Sequence, residues 1–433
     1  MTLSKLNRKE PPERRAVRKI ELPEPSISTL PNGAKLAVIN AGTQDIVKME
    51  VIFNGGTRYQ KKILSSQAAV SLMCEGTTTR NSNQLAEQLD FLGSFLQHSF
   101  DRDFASVSLF TTRKHFAASL EVVADILTNP TYPENELEIF RKKGKQSLTV
   151  ELEKVETLAK QGFFQCLFGP DHPYGSFATP DDFDKLSQPD VADFHKNFHN
   201  LSNSFIILAG RVDEHEVKTV ETLLGANSPG RRLGALNNSL PAAAQTPREK
   251  FTYKENAIQS AVRIGKQMVS RNHPDYIGLM VLNTILGGYF GSRLMQNLRE
   301  DKGFTYGISS ILIPYRETSV FMIGTEVGRE VTKPAVEEIY NELDKLVRVP
   351  VPAEELELVK SQMTGDLLRT LDGPLAIADS IAELYQYNNM NLNFLDQTIE
   401  TINTITPNKL QSLAISYFNP DEMVKSVAGA QPF

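Results

Sequence analysis

The spacing of apolar residues along the chain predicts a first series of strands and helices. Apolar and polar residues either alternate, as in half-buried strands, or recur every three to four positions, as in amphipathic helices. The predicted strands span residues 34–39, 47–53 and 103–111, and the predicted helices span 65–74, 83–92, 116–127 and 134–156. Leu30-Pro31-Asn32-Gly33 predicts a hairpin turn between short strands, so ordered structure is expected to begin near Ser28.

The second half of the chain repeats this pattern. Its predicted strands span residues 261–267 and 319–326, and its predicted helices span 275–286, 333–347 and a long helix from 354 that breaks at 371–374 and resumes over 377–387. In both halves a helix is followed by a turn with two prolines and then by a long helix beginning Pro-x-x-Glu-Leu, at Pro133–Leu137 and at Pro352–Leu356. A repeat at about 215 residues is too long for a solenoid and indicates domain duplication.

A segment without hydrophobic period separates the two halves. Residues 225–247 are rich in Gly, Pro, Ala, Asn and Ser, which is typical of an interdomain linker. We therefore predict a flexible or extended arm over residues 1–27, a first domain over 28–224, a linker over 225–250 and a second domain over 251–433. Each domain mixes antiparallel strands with helices that can cover one sheet face, so the predicted fold class is α+β, with two homologous domains.

Composition removes several classes of function. The 433 residues carry a formal net charge of −6, whereas a nucleic-acid binder would show a basic excess. No apolar run approaches the ~20 residues that span a bilayer, and the basic N-terminus lacks the apolar stretch of a secretory signal. Cys74 and Cys166 are too few for a disulfide framework. We expect a cytoplasmic protein with no membrane or nucleic-acid partner.

The candidate chemistry lies in residues 286–309, which read LGGYFGSRLMQNLREDKGFTYGIS. A glycine-rich break leads into Ser292, a predicted N-cap, and then into a short helix over residues 293–299.

Gly303 ends this predicted helix, and alternation from Phe304 to Ser309 predicts a strand. Arg299 and Tyr306 are therefore brought together by a tight turn and could point into the same cavity. On spacing alone, a solvated arginine and a packed tyrosine would be the more common arrangement.

The same segment closely resembles the C-terminal-half signature of the M16 metallopeptidase family, which includes pitrilysin, insulinase and mitochondrial processing peptidase. Further resemblances lie at the Leu-Pro-Asn-Gly hairpin, Glu75–Thr77, the turn at 129–133 and the loop at 172–175, so the resemblance covers essentially Ser28 to the C-terminus. It implies a two-domain chain that forms half of a clamshell. It also implies that Arg299 and Tyr306 reach across a closed chamber to a zinc site.

The first half departs from the family pattern where the family holds its metal. Active members carry His-x-x-Glu-His on the helix before a Gly-Thr element, with two histidine ligands and a glutamate base. Counted back from Gly76-Thr77, the corresponding residues here are Gln67, Val70 and Ser71, and none is a ligand or a base. We therefore expect this chain to bind no metal.

One histidine pair and one glutamate are the other candidate metal ligands. His195 and His199, four positions apart, could form a metal-binding pair, but no third ligand follows at helical spacing. We favour an amphipathic helix that packs Phe194 and Phe198 and leaves both histidines partly solvated. Family members take a third ligand, a glutamate, from the long helix of the first half, and Glu151 lies near that region. A lone carboxylate would not retain zinc, so we expect Glu151 to be a surface charge.

The resemblance implies a zinc-less M16 subunit, in which Arg299 and Tyr306 complete a site on a partner around an unfolded peptide. The expected partner is an M16 chain that carries His-x-x-Glu-His and holds the zinc, or a second copy of this chain. The alternative is a purely structural or binding protein without a role in proteolysis, which the retention of Arg299 and Tyr306 disfavours. A self-sufficient metallopeptidase with a displaced site is disfavoured by the scarcity of ligands.

Overall fold

The computed structural model describes residues 17, 20, 23–225 and 247–430, and the first domain in it is built on a six-stranded sheet. Its strands are β1 (Ser26–Thr29), β2 (Lys35–Asn40), β3 (Ile46–Phe53), β4 (Phe95–Phe100), β5 (Ala105–Thr112) and β6 (Ser204–Gly210). The spatial order is β1-β2-β6-β3-β5-β4, in which β2 and β6 are parallel and the other neighbours are antiparallel. Gly33 N donates to Leu30 O at 2.8 Å, which closes the predicted hairpin between β1 and β2.

The second domain contains a five-stranded sheet with the same topology. Its strands are β7 (Glu249–Tyr253), β8 (Gln259–Met268), β9 (Ile308–Pro314), β10 (Ser319–Gly328) and β11 (Val424–Gly429). The order β7-β11-β8-β10-β9 reproduces that of β2-β6-β3-β5-β4, including the single parallel pair. The predicted fold class, α+β with two sheets covered by helices, is confirmed.

Helices cover the faces of both sheets. The helices of the first half are α1 (Ser65–Ser71), α2 (Ser82–Phe91), α3 (Phe116–Thr128), α4 (Glu134–Glu151), α5 (Val155–Phe168), α6 (Pro180–Lys185), α7 (Gln188–Phe198) and α8 (Glu214–Gly225). Those of the second half are α9 (Tyr276–Asn283), α10 (Thr332–Arg348), α11 (Ala353–Arg369), α12 (Pro374–Tyr387), α13 (Phe394–Thr404) and α14 (Pro407–Tyr417). Among the described residues, no helix is both long and apolar enough to cross a membrane.

The two domains exchange one helix each. Helix α5 of the first half packs on β7, β8 and β11 of the second sheet, and α12 of the second half packs on β2 and β6 of the first. The approach of α5 is close, since a Cβ added to Gly162 would lie 2.4 Å from Ser426 Oγ. At the other contact the ring of Tyr385 stacks on Phe205 with centroids 4.1 Å apart. Each domain therefore buries part of the apolar surface of the other.

Two predicted boundaries are wrong. The helix predicted over residues 134–156 is two helices, because Lys154 has extended backbone angles and α5 turns onto the second sheet. Strand β7 begins at Glu249, inside the predicted linker, whose residues 226–246 lie outside the described part of the chain. In the predicted arm, most of which also lies outside it, Ile20 packs beside α12 and Asn403 donates to Val17 O at 2.9 Å. The predicted domain limits otherwise stay predictions.

Candidate functional site

The helix that carries Arg299 is anchored on its inner side. Residues Met295–Asp301 form a π-helical segment, and Leu294 and Leu298 are fully buried in the core of the second domain, as their spacing predicted. Arg293 forms two hydrogen bonds with the carboxylate of Glu355 on α11, at 2.8 and 2.7 Å. The predicted N-cap is wrong, because the buried Ser292 hydroxyl has no hydrogen-bond partner among the described residues.

The turn after this helix holds Tyr306 away from the protein. Gly303 has φ +64°, and Phe304 N donates to Leu298 O at 2.8 Å, which closes the helix end. The predicted strand starts too early, since β9 begins only at Ile308. Residues 304–307 form a loop in which Tyr306 is 92% exposed.

Hydrogen bonds of two threonines fix this loop to β10. The Thr305 hydroxyl donates to Glu326 O at 2.8 Å and accepts from Gly307 N at 3.1 Å. The Thr325 hydroxyl, on β10, donates to Gly307 O at 2.9 Å. The exposed Tyr306 is therefore carried by an ordered backbone.

Arg299 lies at the other end of the same turn and is also accessible. Its guanidinium carbon lies 4.9 Å from the centre of the Phe290 ring, which is 65% exposed. Its Nε lies 3.4 Å from a carboxylate oxygen of Glu300, and both side chains are more than a third exposed. Screening by water makes such a pair weak, so the guanidinium can exchange it for a ligand. The structure places Arg299 and Tyr306 at the two ends of one turn, and both side chains are accessible there.

Helix α1, at the positions of the family's zinc motif, offers no metal-binding chemistry. Val70 is fully buried in the core of the first domain, Gln67 lines a small cavity, and Ser71 is half-buried. An alkyl group, an amide and a hydroxyl do not fit the nitrogen, sulfur and carboxylate ligands that zinc takes. Within residues 23–225 and 247–430, no group of three His, Cys, Asp or Glu side chains is placed to hold a metal ion.

His195 and His199, at the end of α7, are packing residues. His199 is fully buried with Nε2 2.9 Å from Gly55 O, and His195 Nε2 lies 3.1 Å from Leu127 O. Burial lowers the pKa of His199 to about 3 and that of His195 to about 4, so both are neutral at pH 7. The expectation that both are partly solvated is wrong for His199. Glu151, as expected, is an exposed charge and pairs with Lys154 at 2.6 Å.

Sequence reasoning missed a buried polar network that joins the domains. Asp103 accepts from Arg58 Nη1 and from the hydroxyl of Tyr174, both at 2.7 Å. Its second oxygen accepts from Arg316 N, in the hairpin between β9 and β10, at 3.0 Å. The ring of Tyr174 stacks on Tyr315 with centroids 4.4 Å apart, and burial raises the pKa of Tyr174. The loop at 172–175, quoted above for its family resemblance, was the only signal that pointed to this contact.

Comparisons with known proteins relate the chain to one peptidase family. Residues 35–166 match a family model described as insulinase (peptidase family M16), and residues 185–363 match one described as peptidase M16 inactive domain. An uncharacterised zinc protease of Bacillus subtilis is 24% identical over 408 residues, which are 91% of this chain and 95% of that protein. The mitochondrial-processing peptidase subunit beta of Mus musculus is 21% identical over 385 residues, 85% of this chain and 77% of that protein.

Two solved structures share the fold over nearly the whole chain. The peptidase M16 inactive domain from Pseudomonas fluorescens has a TM-score of 0.83 and 20% identity, and covers 94% of this chain and 98% of its own. A protease from Helicobacter pylori has a TM-score of 0.84 and 18% identity, and covers 95% and 100%.

Proposed function

The chain belongs to peptidase family M16, and on that premise we propose that it is a zinc-less subunit whose Arg299 and Tyr306 complete a peptidase site on a partner. One contrast carries the proposal. Helix α1 has no metal ligand at Gln67, Val70 or Ser71, whereas Tyr306 is 92% exposed on an ordered loop beside Arg299.

Packing does not account for Tyr306, because a side chain with this exposure removes little apolar surface from water. The loop nevertheless uses several hydrogen bonds from Thr305 and Thr325 to hold it. An exposed donor on a loop whose backbone is held in place is the arrangement expected of a group that meets a ligand or another chain.

The two side chains act by hydrogen bonding. A zinc ion in the partner subunit would supply an activated water and polarise the scissile carbonyl. The Arg299 guanidinium would hold a peptide carbonyl oxygen, and the Tyr306 hydroxyl would donate to the oxygen on which negative charge develops. Neither step needs a metal or a base in this chain.

The proposed partner is an M16 chain that carries His-x-x-Glu-His, with a homodimer as the alternative assembly. The relative from Mus musculus is named as a subunit, and several relatives are named as zinc proteases. The proposed substrate is an unfolded peptide enclosed between the two chains.

Reconstitution tests the proposal. The purified chain is assayed for bound zinc and for hydrolysis of a quenched fluorescent peptide, alone and mixed with an M16 chain that has the zinc motif. We expect no hydrolysis by this chain alone and a gain of activity in the mixture. About one tightly bound zinc in the isolated chain, together with hydrolysis, would overturn the proposal. A mixture that assembles without a gain in activity would favour the structural alternative.

A further inference from the structure

A small cavity in the first domain lies beside the start of α1. It has a volume of about 110 Å³ and is lined by residues from four segments of the chain, Thr57, Gln60, Ile63, Leu64, Gln67, Arg102, Ser176, Phe177 and Ala178. We call it the Arg102 cavity. Leu64 has φ +74°, a conformation that is costly for a leucine and that recurs where a ligand is clamped.

Arg102 brings a positive charge to this cavity. Its Nη1 donates to Ser176 O at 2.8 Å and to Pro173 O at 3.2 Å, and its guanidinium carbon lies 4.8 Å from the centre of the Phe177 ring. Among the described residues, no carboxylate lies within ion-pairing distance of Arg102. Burial lowers the pKa of its guanidinium, which shows that the charged form is poorly solvated.

The two neighbouring carboxylates are already engaged elsewhere. Asp103 is bound by Arg58 and Tyr174. Asp101 accepts from two backbone N–H groups with one oxygen and from the Tyr387 hydroxyl with the other. Both carboxylates still attract the Arg102 guanidinium through space, but their oxygens are used in these other hydrogen bonds. An anion hydrogen-bonded directly to the guanidinium would offset more of the cost of burying its charge.

Two polar atoms of the cavity are without partners among the described residues. Thr57 Oγ1 and Gln60 Oε1 are both buried and make no hydrogen bond to any described residue. A hydroxyl can turn its hydrogen toward a ligand, and a glutamine amide can present its NH₂ group by rotation about its last bond. Gln67 adds a second amide at a position where the resembled family has a zinc ligand. The cavity therefore combines one cation with three groups that can donate.

We propose that the Arg102 cavity binds a carboxylate group of a peptide, either an Asp or Glu side chain or a C-terminal carboxylate. A guanidinium, a hydroxyl and primary amides satisfy the two oxygens of a carboxylate. A phosphate dianion would find only one positive charge. A metal cation would meet Arg102 with repulsion, so this site has the opposite electrostatic preference to a zinc site.

An apolar groove next to the cavity explains why the ligand is a peptide. The groove has a volume of about 370 Å³, shares Thr57 and Arg102 with the cavity, and is lined otherwise by Phe100, Asp101, Ile313, Pro314, Tyr315 and Tyr387. A free small acid would leave this surface uncovered. A peptide with an apolar residue beside its carboxylate would fill both spaces.

The test is binding of defined peptides to the whole chain, measured by calorimetry at low ionic strength. The first probe is an acetylated and amidated peptide Ala-Leu-Asp-Leu-Ala. The second has Asn in place of Asp, and the third is the Asn peptide with a free C-terminus. We expect the first or third probe to bind at least about tenfold more tightly than the second, because hydrogen bonds to a charged group are the strong ones. Which of the two binds identifies the source of the carboxylate.

Two variants identify the site. Arg102→Gln should weaken binding of the acidic probe by about 10- to 100-fold and Thr57→Val by about tenfold. Because Arg102 also holds two carbonyls, its variant can lose stability. Thr57→Val removes an unpartnered hydroxyl and should keep or raise the unfolding temperature. Arg369→Gln and Thr149→Val, both at exposed positions on outer helices, are the matched controls.

Three results would overturn the proposal. They are equal binding of all three peptides, unchanged affinity of the tighter-binding peptide in Thr57→Val, and displacement of that peptide by inorganic phosphate but not by acetate. The proposal does not rest on the role given to Arg299 and Tyr306, because the measurement uses this chain alone and no hydrolysis.

Discussion

The segments between β3 and β4 and between β8 and β9 are equivalent in the two sheets, but the second places Arg299 and Tyr306 on a surface turn, whereas the first contributes polar side chains to a small cavity. In both, a helix ends at a glycine with left-handed backbone, Gly93 with φ +61° and Gly303 with φ +64°. In the first domain, Ser94 alone separates that glycine from β4, whereas residues 304–307 separate it from β9 in the second. Tyr306 lies in those additional residues.

This difference indicates which parts of a duplicated fold can change their chemistry. The sheets and the buried helix faces are retained because the cores depend on them, and the helix-to-strand turn tolerates a longer loop at the surface. In the first domain, the variation instead falls on α1, where Gln67 and Ser71 offer no metal ligand and Val70 packs in the core.

The largest effect is expected from the buried polar network at the domain boundary. Asp103→Asn removes the charge that pairs with Arg58 and is 1% exposed. The buried Arg58 guanidinium then keeps only the half-exposed Glu317 as an ion-pair partner, so the free energy of unfolding should fall by about 3 kcal/mol, the lower end for a broken buried pair. Urea unfolding measures the change. The control is Asp45→Asn, whose exposed pair with Arg211 should contribute less than about 1 kcal/mol, and an equal loss in both variants would contradict the prediction.

The next largest effect is a loss of peptidase activity on changing Arg299 or Tyr306 of the second domain. In a reconstituted complex, Tyr306→Phe should lower kcat by about 10²- to 10³-fold, because it removes one donor to the developing charge. Arg299→Ala should also raise KM, since the guanidinium positions the peptide as well. Folding should be almost unchanged, because neither side chain belongs to a core.

Controls for this pair lie elsewhere on the surface and on α1. Tyr253→Phe changes another exposed tyrosine and Ser71→Ala changes the first domain at a zinc-motif position. Both should leave kcat and KM unchanged. Full activity of Tyr306→Phe would leave this chain as a scaffold that shapes the chamber.

Much of the fold can be predicted from the sequence. Alternation of apolar and polar residues indicates the buried faces of strands, and the repeated Pro-x-x-Glu-Leu indicates the duplication. Strand β4 escaped detection because it is an edge strand that is almost wholly exposed, so its residues do not alternate in polarity. The break at Lys154 escaped because neither glycine nor proline marks it.

The accessible loop was only partly predictable, and the Arg102 cavity was not. The motif located Arg299 and Tyr306, but alternation from Phe304 suggested a strand where hydrogen bonds of Thr305 and Thr325 hold a loop. The residues of the cavity come from distant parts of the sequence. Arg102 forms no direct ion pair there because Asp101 and Asp103 bind other groups. Those contacts are tertiary, and no local pattern reports them.

The loss of folding stability at acidic pH should arise from the first domain. His199 is fully buried and its pKa is lowered to about 3, below the unfolded value of 6.5. Between pH 6.5 and 3 the unfolded state therefore binds more protons than the folded state. The stability that neutral His199 contributes to the folded state is complete above pH 6.5. It declines as pH falls toward 3, by up to about 1.4 kcal/mol per pH unit. The second domain has only His273, which is partly exposed.

Urea unfolding between pH 7 and pH 4 measures this slope. His199→Asn, which keeps a donor near Gly55 O but does not titrate, should flatten it, whereas His273→Asn should leave it unchanged. Equal slopes in the wild type and in His199→Asn would contradict the prediction.

The smallest effect is expected from the contact between the Phe290 ring and the Arg299 guanidinium. The Phe290 ring lies beside the Arg299 guanidinium and is itself largely exposed, so it serves no core. A cation–π contact at such a site contributes about 0.5–1 kcal/mol, which corresponds to a roughly two- to fivefold change. Phe290→Leu, which keeps an apolar side chain but removes the ring, should raise KM by about that factor and spare kcat. Phe290→Tyr should restore the wild-type KM, because it retains the ring. The prediction is contradicted if Phe290→Leu and Phe290→Tyr both have the KM of the wild type. In that case Glu300 and the helix backbone would suffice to orient Arg299. The functional difference between the two domains would then depend on the loop at 304–307 alone.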